Sequence, residues 1–423
     1  MKKQQAKIYE ARRNVTTLET VDWSGLIDTQ HPARRIVRVL DQFDLTELYG
    51  RITSEKSCQG RPAIDPKIML AILVYGAMIG ITSSRAIAAH CKWESGFRWI
   101  LGYDLSVEHV AISTFRKEAG KCLDNILTQV ITAMVAAGVV DLEEVILDGT
   151  KIKANAGRGS FHTEEELEEL KKEISDKLDK MTVEEQKTNH KARLEDQQKR
   201  IQKALDQIPD IQKALNESAK KRKKGTKAKE AKASKTDPDA RKMSFADGGM
   251  GPGYNAQVMT TSKSGVIVDI KVTQRRNDSG MLTPLLDSFE SRYGSIPGRI
   301  LGDTSYCAKD DVKKVLERGV GVYCPQTKAR KESKEKSKKE FERRRLKEPE
   351  ILREWRLRMD TDEAKEIRGR RMQTEKVHGW IKSKMPHSQV KLRGQAGAQI
   401  EMLLYALGYN LMRFFNMVPI KVS

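Results

Sequence analysis

Cysteine is scarce and scattered in this chain. Five are present, Cys58, Cys91, Cys122, Cys307 and Cys324, with no Cys-x-x-Cys pair. That excludes a zinc ribbon and a secreted disulfide scaffold, and it predicts a reducing compartment. His90 beside Cys91 is not read as a metal pair, because adjacent helical positions do not share a face. Long apolar runs are missing too: 68–81 is too short to span a bilayer, and 398–415 is broken by Glu401 and Arg413. The opening MKKQQAKIYEARRN is not followed by the apolar segment of a signal peptide, so a cytoplasmic chain with no membrane partner is expected. Acidic charge also runs short, with 58 Asp and Glu against 78 Lys and Arg, a formal net charge of +20 over 423 residues. Such an excess predicts salt-sensitive attraction to a polyanion, which selects a class of partner but no chemistry.

The length allows two or three domains. Residues 1–140 read as a helical domain. Asp65 and Pro66 open a helix with Ile68, Met69, Ile72 and Leu73 on its apolar face, and a later helix carrying Ile126 to Val135 stops near Gly138. Between them SSRAIAAHCKWESGFRWILG and SVEHVAISTFRKEAG are short amphipathic pieces compatible with a helix-turn-helix, with Arg85, Arg116 and Lys117 as its exposed basic candidates.

From Glu143 the pattern turns to strands. VILDGTKIKAN is followed, after an insertion, by GYNAQVMTTSKSGVIVDIKVTQ, in which 262–265 has the composition of a hairpin turn. A helix over 280–293, a strand over 299–303, a helix over 309–318 and a short strand GVYCP complete a mixed α/β order. The first insertion, 161–235, carries apolar residues at three- and four-residue steps from Leu167 to Leu215, with capping-box spacing at Thr163/Glu166 and Thr182/Glu185, and predicts an antiparallel helical hairpin followed by a basic loop. The second, 328–360, opens on a basic run that includes Lys338, Lys339, Arg343 and Arg344, expected to hold a phosphate backbone.

The chemistry gathers in RMQTEKVHGWIK, where steps of four and seven put Arg371, Glu375 and Lys382 on one helix face. Asp148 and Asp303 each close an apolar, β-branched run. On neighbouring strands they would lie side by side at one sheet edge. Three carboxylates from two strand ends and a helix suit two-metal phosphoryl transfer. Asn155, Tyr254, Asn255 and the pair Asn277 and Asp278 fall near strand ends, where they could line the site, but are read first as turn-formers. Trp380 is read as core before it is read as a base-stacking aromatic.

In their order and spacing these residues resemble the DDE transposases of bacterial insertion sequences, in particular the subgroup with a Tyr-x2-Arg-x3-Glu-x6-Lys signature. Arg371, Glu375 and Lys382 match that signature, while Arg368 stands at its tyrosine position. HPARRIVRVLDQFDL, GRPAIDPKIMLAILVYG and ISTFRK are similar to the family's leading helical domain, and DPDARKM followed by GYNAQ to its second strand. The resemblance implies an α/β fold with a ribonuclease-H-like mixed sheet over 141–423, interrupted by the two insertions and preceded by the all-α domain. It implies that Asp148, Asp303 and Glu375 are the catalytic acids and bind Mg2+, with Mn2+ as a substitute, while Arg371 and Lys382 contact phosphates beside the cut. Its partners are double-stranded DNA, as terminal inverted repeats and as target, and a second copy in a paired-end complex within the bacterial cytoplasm and nucleoid. The alternative is a catalytically inactive descendant kept as a DNA-binding regulator. The intact set of acids weighs against it.

Overall fold

The computed structural model describes residues 22–52, 63–182, 189–220, 229–325, 343 and 345–418. Its first part is helical, as the apolar periodicity requires: α1 Pro32–Leu40, α2 Thr46–Tyr49, α3 Pro66–Ile79, α4 Ser84–His90, α5 Ser95–Leu101, α6 His109–Ala119 and α7 Leu123–Ala136. Helix α3 starts where the sequence says it should. The Asp65 carboxylate accepts the Lys67 N–H at 2.8 Å and Pro66 has no N–H to leave unsatisfied. Its side chains are buried almost all round, which makes α3 the centre of the helical layer. Arg116 on α6 departs from expectation. It is 4% exposed and donates to the Thr82 carbonyl (2.6 Å) and to Ser84 Oγ (2.8 Å), so it ties α6 to the α3–α4 turn, whereas Arg85 and Lys117 do face solvent.

A mixed sheet follows, made of β1 Glu144–Lys153, β4 Arg241–Ser244, β5 Met250–Thr261, β6 Ile267–Thr273, β7 Arg299–Leu301 and β8 Gly321–Tyr323; β2 Phe161–His162 and β3 Ala233–Ser234 pair separately. Strand β5 lies antiparallel to β1 along one edge and shares its other edge between β4 and β6, while β7 and β8 extend the sheet in parallel from β1. The order β6-β5-β1-β7-β8, antiparallel and then parallel, is the ribonuclease-H-like arrangement the resemblance implied. Helices α10 Leu282–Tyr293 and α11 Lys309–Glu317 form the crossovers around β7.

The insertion after β2 is the expected helical hairpin, α8 Glu164–Asp179 and α9 Asn189–Lys220. Thr163 and Glu166 make the reciprocal capping box, whereas Glu185 lies outside the described residues. Leu167, Ile174, Ile201, Ala204, Ile208 and Ile211 form a core of their own with Ala231 and Ala233, apart from the main one. The second insertion ends in α12 Glu350–Met359. Of its basic candidates Arg343 is exposed, and Lys338, Lys339 and Arg344 lie outside the described residues. Then α13 Asp362–Gly369, a short 3-10 turn Arg370–Met372 and α14 Gln373–Lys384 run on without a break.

The last helix, α15 Gln395–Met417, joins the two halves, packing on β6, α3 and α7. Gly408 lets α15 approach α3 closely, since a Cβ there would stand 3.1 Å from the Met78 nitrogen. Side-chain amides of α15 also close the free edge of β6. Asn410 bonds both backbone groups of Ile267 (2.9 and 2.7 Å), and Gln399 accepts from Val272 and donates to Ile270 (2.7 Å each). An edge strand satisfied in this way offers no template to another chain. Among the described residues no single helix is long and apolar enough to cross a membrane.

Candidate active site

Strand register brings Asp148 and Asp303 near each other. β1 and β7 run parallel with Val145 opposite Ile300 and Ile146 opposite Leu301, and that register carried two residues past the end of β7 would align Asp148 with Asp303. Neighbouring strands are about 4.8 Å apart, which brings both carboxyl groups to one edge. The expectation that both aspartates end their strands needs one correction. Asp303 does lie just past the end of β7, after Gly302, but Asp148 lies in mid-strand, because β5 goes on pairing with β1 as far as Lys153 after β7 has left. Beyond Asp148, then, β1 is paired to β5 on one side and carries no strand on the other until Lys153 bridges to Gln389, and the gap between is where the acids lie.

Each aspartate is held locally. Asp303 caps the 3-10 turn Thr304–Tyr306, its Oδ1 accepting the Ser305 N–H at 2.8 Å and the Ser305 hydroxyl at 2.5 Å. Asp148 Oδ1 takes the Gly149 N–H at 3.0 Å. Its Oδ2 is 3.4 Å from Nε2 of His378, a buried residue of α14 whose ring nitrogens make no hydrogen bond among the described residues. Glu375 stands one turn before His378 and so faces the same way. It is exposed, while Arg371 and Lys382, before and after it, are half-buried. Thr374 packs beneath, its hydroxyl 3.4 Å from that of Thr260 in β5, which fixes α14 on the Asp148 face of the sheet.

The opposite face joins Asn255 and Asp278, noted in the sequence near strand ends, to Lys151, Gln257 and Tyr306, which sequence reasoning passes over. Side chains alternate along a strand, so Gly149 and Lys151 point away from Asp148 and toward Asp278, in the turn after β6. Asn255 and Gln257 each donate an amide N–H to Asp278 Oδ1 at 2.6 Å, and Lys151 Nζ is 3.7 Å from the same oxygen. Burial alone would raise the Asp278 carboxyl, but the Asn255 amide, the Lys151 charge and the Gln257 amide outweigh it and hold the group below its usual range. Lys151 is also lowered, by desolvation, with Asp278, Asp148 and Asp303 partly opposing that effect. Burial pushes the Tyr306 hydroxyl well up, and the same three carboxylates add to it; the hydroxyl donates to Gln257 Oε1 at 2.5 Å.

Other strand-end residues are structural. Tyr254 is fully buried and donates to Asp237 at 2.7 Å, and Asn155 donates to the Lys391 carbonyl. Trp380 packs edge-on to Tyr409 at 5.2 Å against the main core. Arg368, at the signature's tyrosine position, stands in the last turn of α13.

Two family models match the chain. "Transposase DDE domain" covers residues 218–411, and "Transposase domain (DUF772)" covers residues 21–118. The chain belongs to the DDE transposases. No curated protein matches, and no solved structure does. The transposase is thus a DNA-acting enzyme that uses divalent metal ions and binds the inverted repeats of an insertion sequence. Asp303 and Glu375 fall inside the matched DDE stretch, and Asp148 falls between the two matches.

The acid edge suits a hard cation in kind, since its donors are carboxylate oxygens. Among the described residues, however, no three His, Cys, Asp or Glu side chains are gathered closely enough to hold an ion as they stand. Of the three expected acids, two lie near each other at the ends of the β1–β7 pairing and the third stands on the exposed side of an adjoining helix.

Proposed function

We propose that Asp148, Asp303 and Glu375 are the catalytic acids with which the transposase cuts and joins DNA strands at the ends of its element, binding Mg2+ with Mn2+ as a substitute. The observation that supports this reading is the parallel register of β1 and β7, which extended two residues aligns Asp148 with Asp303, next to the helix bearing Glu375. A bound pair of divalent ions supplies charge to activate a nucleophile and to stabilise the leaving 3′-oxygen. The protein's part is to hold carboxylate oxygens at fixed places, with the Gly149 N–H holding Asp148 and Ser305 holding Asp303. Arg371 and Lys382 flank Glu375 and would take the phosphates on either side of the cut.

In this reading residues 1–140 form a leading domain that contacts the terminal repeats, and 141–423 the catalytic domain with its two insertions. The working complex pairs two element ends through a homodimer, in the bacterial cytoplasm and on the nucleoid. Asp148→Asn, which keeps shape and removes the charge, is expected to abolish Mg2+-dependent cleavage of end DNA while DNA affinity in a gel-shift assay stays at the wild-type value. Cleavage at the wild-type rate would overturn the assignment.

A further inference from the structure

Asp278 is a fourth carboxylate at this edge, and the reading above gives it no task. Its surroundings are more elaborate than a turn requires. Asn255 and Gln257, both fully buried in β5, spend their amide groups on its Oδ1, and Gly149 leaves the room it needs: a Cβ there would stand 2.3 Å from that oxygen and 2.7 Å from Gln257 Nε2. Its other oxygen meets the Ser305 hydroxyl at 3.2 Å, the same hydroxyl that lies 2.5 Å from Asp303 Oδ1. Asp278 and Asp303 thus share one hydroxyl group. On its far side Asp278 holds Lys151, a half-buried ammonium in the field of Asp148 and Asp303 as well.

We propose that Asp278 is a positioning residue of the acid site, which braces the Asp303 loop through Ser305 and holds Lys151 as a counter-charge that an incoming divalent ion has to work against. The inference rests on the assignment of Asp148 and Asp303 as metal ligands. It gives each neighbour a sign. Removing the Asp278 charge loosens Asp303 and takes a negative charge from the site, so divalent binding weakens. Removing the Lys151 charge leaves the acids in place and lifts a repulsion, so divalent binding tightens. A bystander salt bridge on the fold would move metal affinity in neither direction.

The test is titration of the full-length protein with Mn2+ alone, followed by the electron paramagnetic resonance signal of the free ion, for the wild type and for Asp148→Asn, Asp278→Asn, Lys151→Met and Gly149→Ala. The expected Kd shifts are about threefold to tenfold, the scale of one unit charge acting on a divalent ion across several ångströms of partly solvated protein. Asp278→Asn and Gly149→Ala should bind Mn2+ more weakly and Lys151→Met more tightly. Should Asp278→Asn fail to fold, Ser305→Ala replaces it, and weaker binding is again expected. Unchanged Mn2+ binding by Asp148→Asn would overturn the underlying assignment of the acids. Weakened binding by Asp148→Asn, with Lys151→Met unchanged or weaker, would overturn the role of Lys151 and Asp278 alone.

Discussion

Glu401 offers the sharpest test of how the two halves of the transposase are joined. It lies in the second turn of α15 at 2% exposure, where Oε1 accepts the N–H of Lys391 at 2.7 Å and that of Leu392 in a shorter contact, and it shares a small cavity with Arg116 of α6. Burial raises its carboxyl, against the lowering effects of the Leu392 N–H and Arg116. Glu401→Leu would leave two N–H groups without an acceptor, whereas the Arg116 guanidinium keeps its bonds to Thr82 and Ser84. The expected loss is about 2–6 kcal/mol, from two buried donors each left unsatisfied at about 1–3 kcal/mol. That is a large share of the roughly 5–15 kcal/mol by which folded proteins are stable. Glu401→Gln keeps the oxygen acceptor and drops the charge, and should stay within about 1 kcal/mol of the wild type at neutral pH. The sign of the pH effect follows from the raised carboxyl. The folded state holds its proton more tightly than the unfolded state, so this group's contribution is complete below the unfolded value near 4.5 and is lost as pH rises through the folded value. Urea unfolding of the three proteins across pH checks both points, and Glu401→Gln should flatten the wild-type decline. If Glu401→Gln proves as damaging as Glu401→Leu, charge pairing with Arg116 holds the joint, and the backbone acceptor role is wrong.

Two further outcomes are expected. Replacing Lys338, Lys339, Arg343 and Arg344 together by alanine should flatten the salt dependence of DNA affinity by about 0.9 in log–log slope for each phosphate no longer neutralised; an unchanged slope would make that run solvated surface. Replacing residues 163–219 by a short flexible linker should leave the catalytic sheet folded and paired-end complexes intact in sedimentation with end DNA, because the hairpin's apolar stripe is consumed inside its own core; absence of those complexes would move the subunit interface to its polar outer faces.

The parts of this molecule that are legible in the sequence are those governed by local rules. Asp65 and Pro66 announce α3, the Thr163 capping box announces α8, and the β5–β6 hairpin announces itself by alternation on either side of 262–265. Arg116 escapes such rules because a helix pattern marks the apolar face but does not show what lies opposite a long side chain, here the Thr82 carbonyl. Asp148 reads as a strand end because its apolar run stops there, while the strand itself continues under the direction of a partner a hundred or so residues away. Asp278 reads as a turn-former for a similar reason: all its partners, Asn255, Gln257, Lys151 and Ser305, belong to other elements.

The helical hairpin explains why Asp148 lies outside both family matches. The DDE match begins at residue 218, after α8 and nearly all of α9, so the insertion separates β1 from the strands that complete its sheet. Geometry restores what the sequence separates. Nine consecutive residue pairs, from Val145 opposite Thr261 to Lys153 opposite Gly253, bind β1 to β5 across the gap. Where the hairpin returns it is pinned to the start of β4: Gln207 donates to Asp239 at 2.9 Å and accepts from Arg241 at 2.8 Å, and Lys203 reaches the same carboxylate. Asp239 in turn accepts the Gln395 N–H at the start of α15 at 3.1 Å, so the insertion, the sheet and the last helix meet at one carboxylate. An insertion anchored in this way can vary in length without shifting the β1–β7 register, and it is that register which, extended two residues, aligns Asp148 with Asp303.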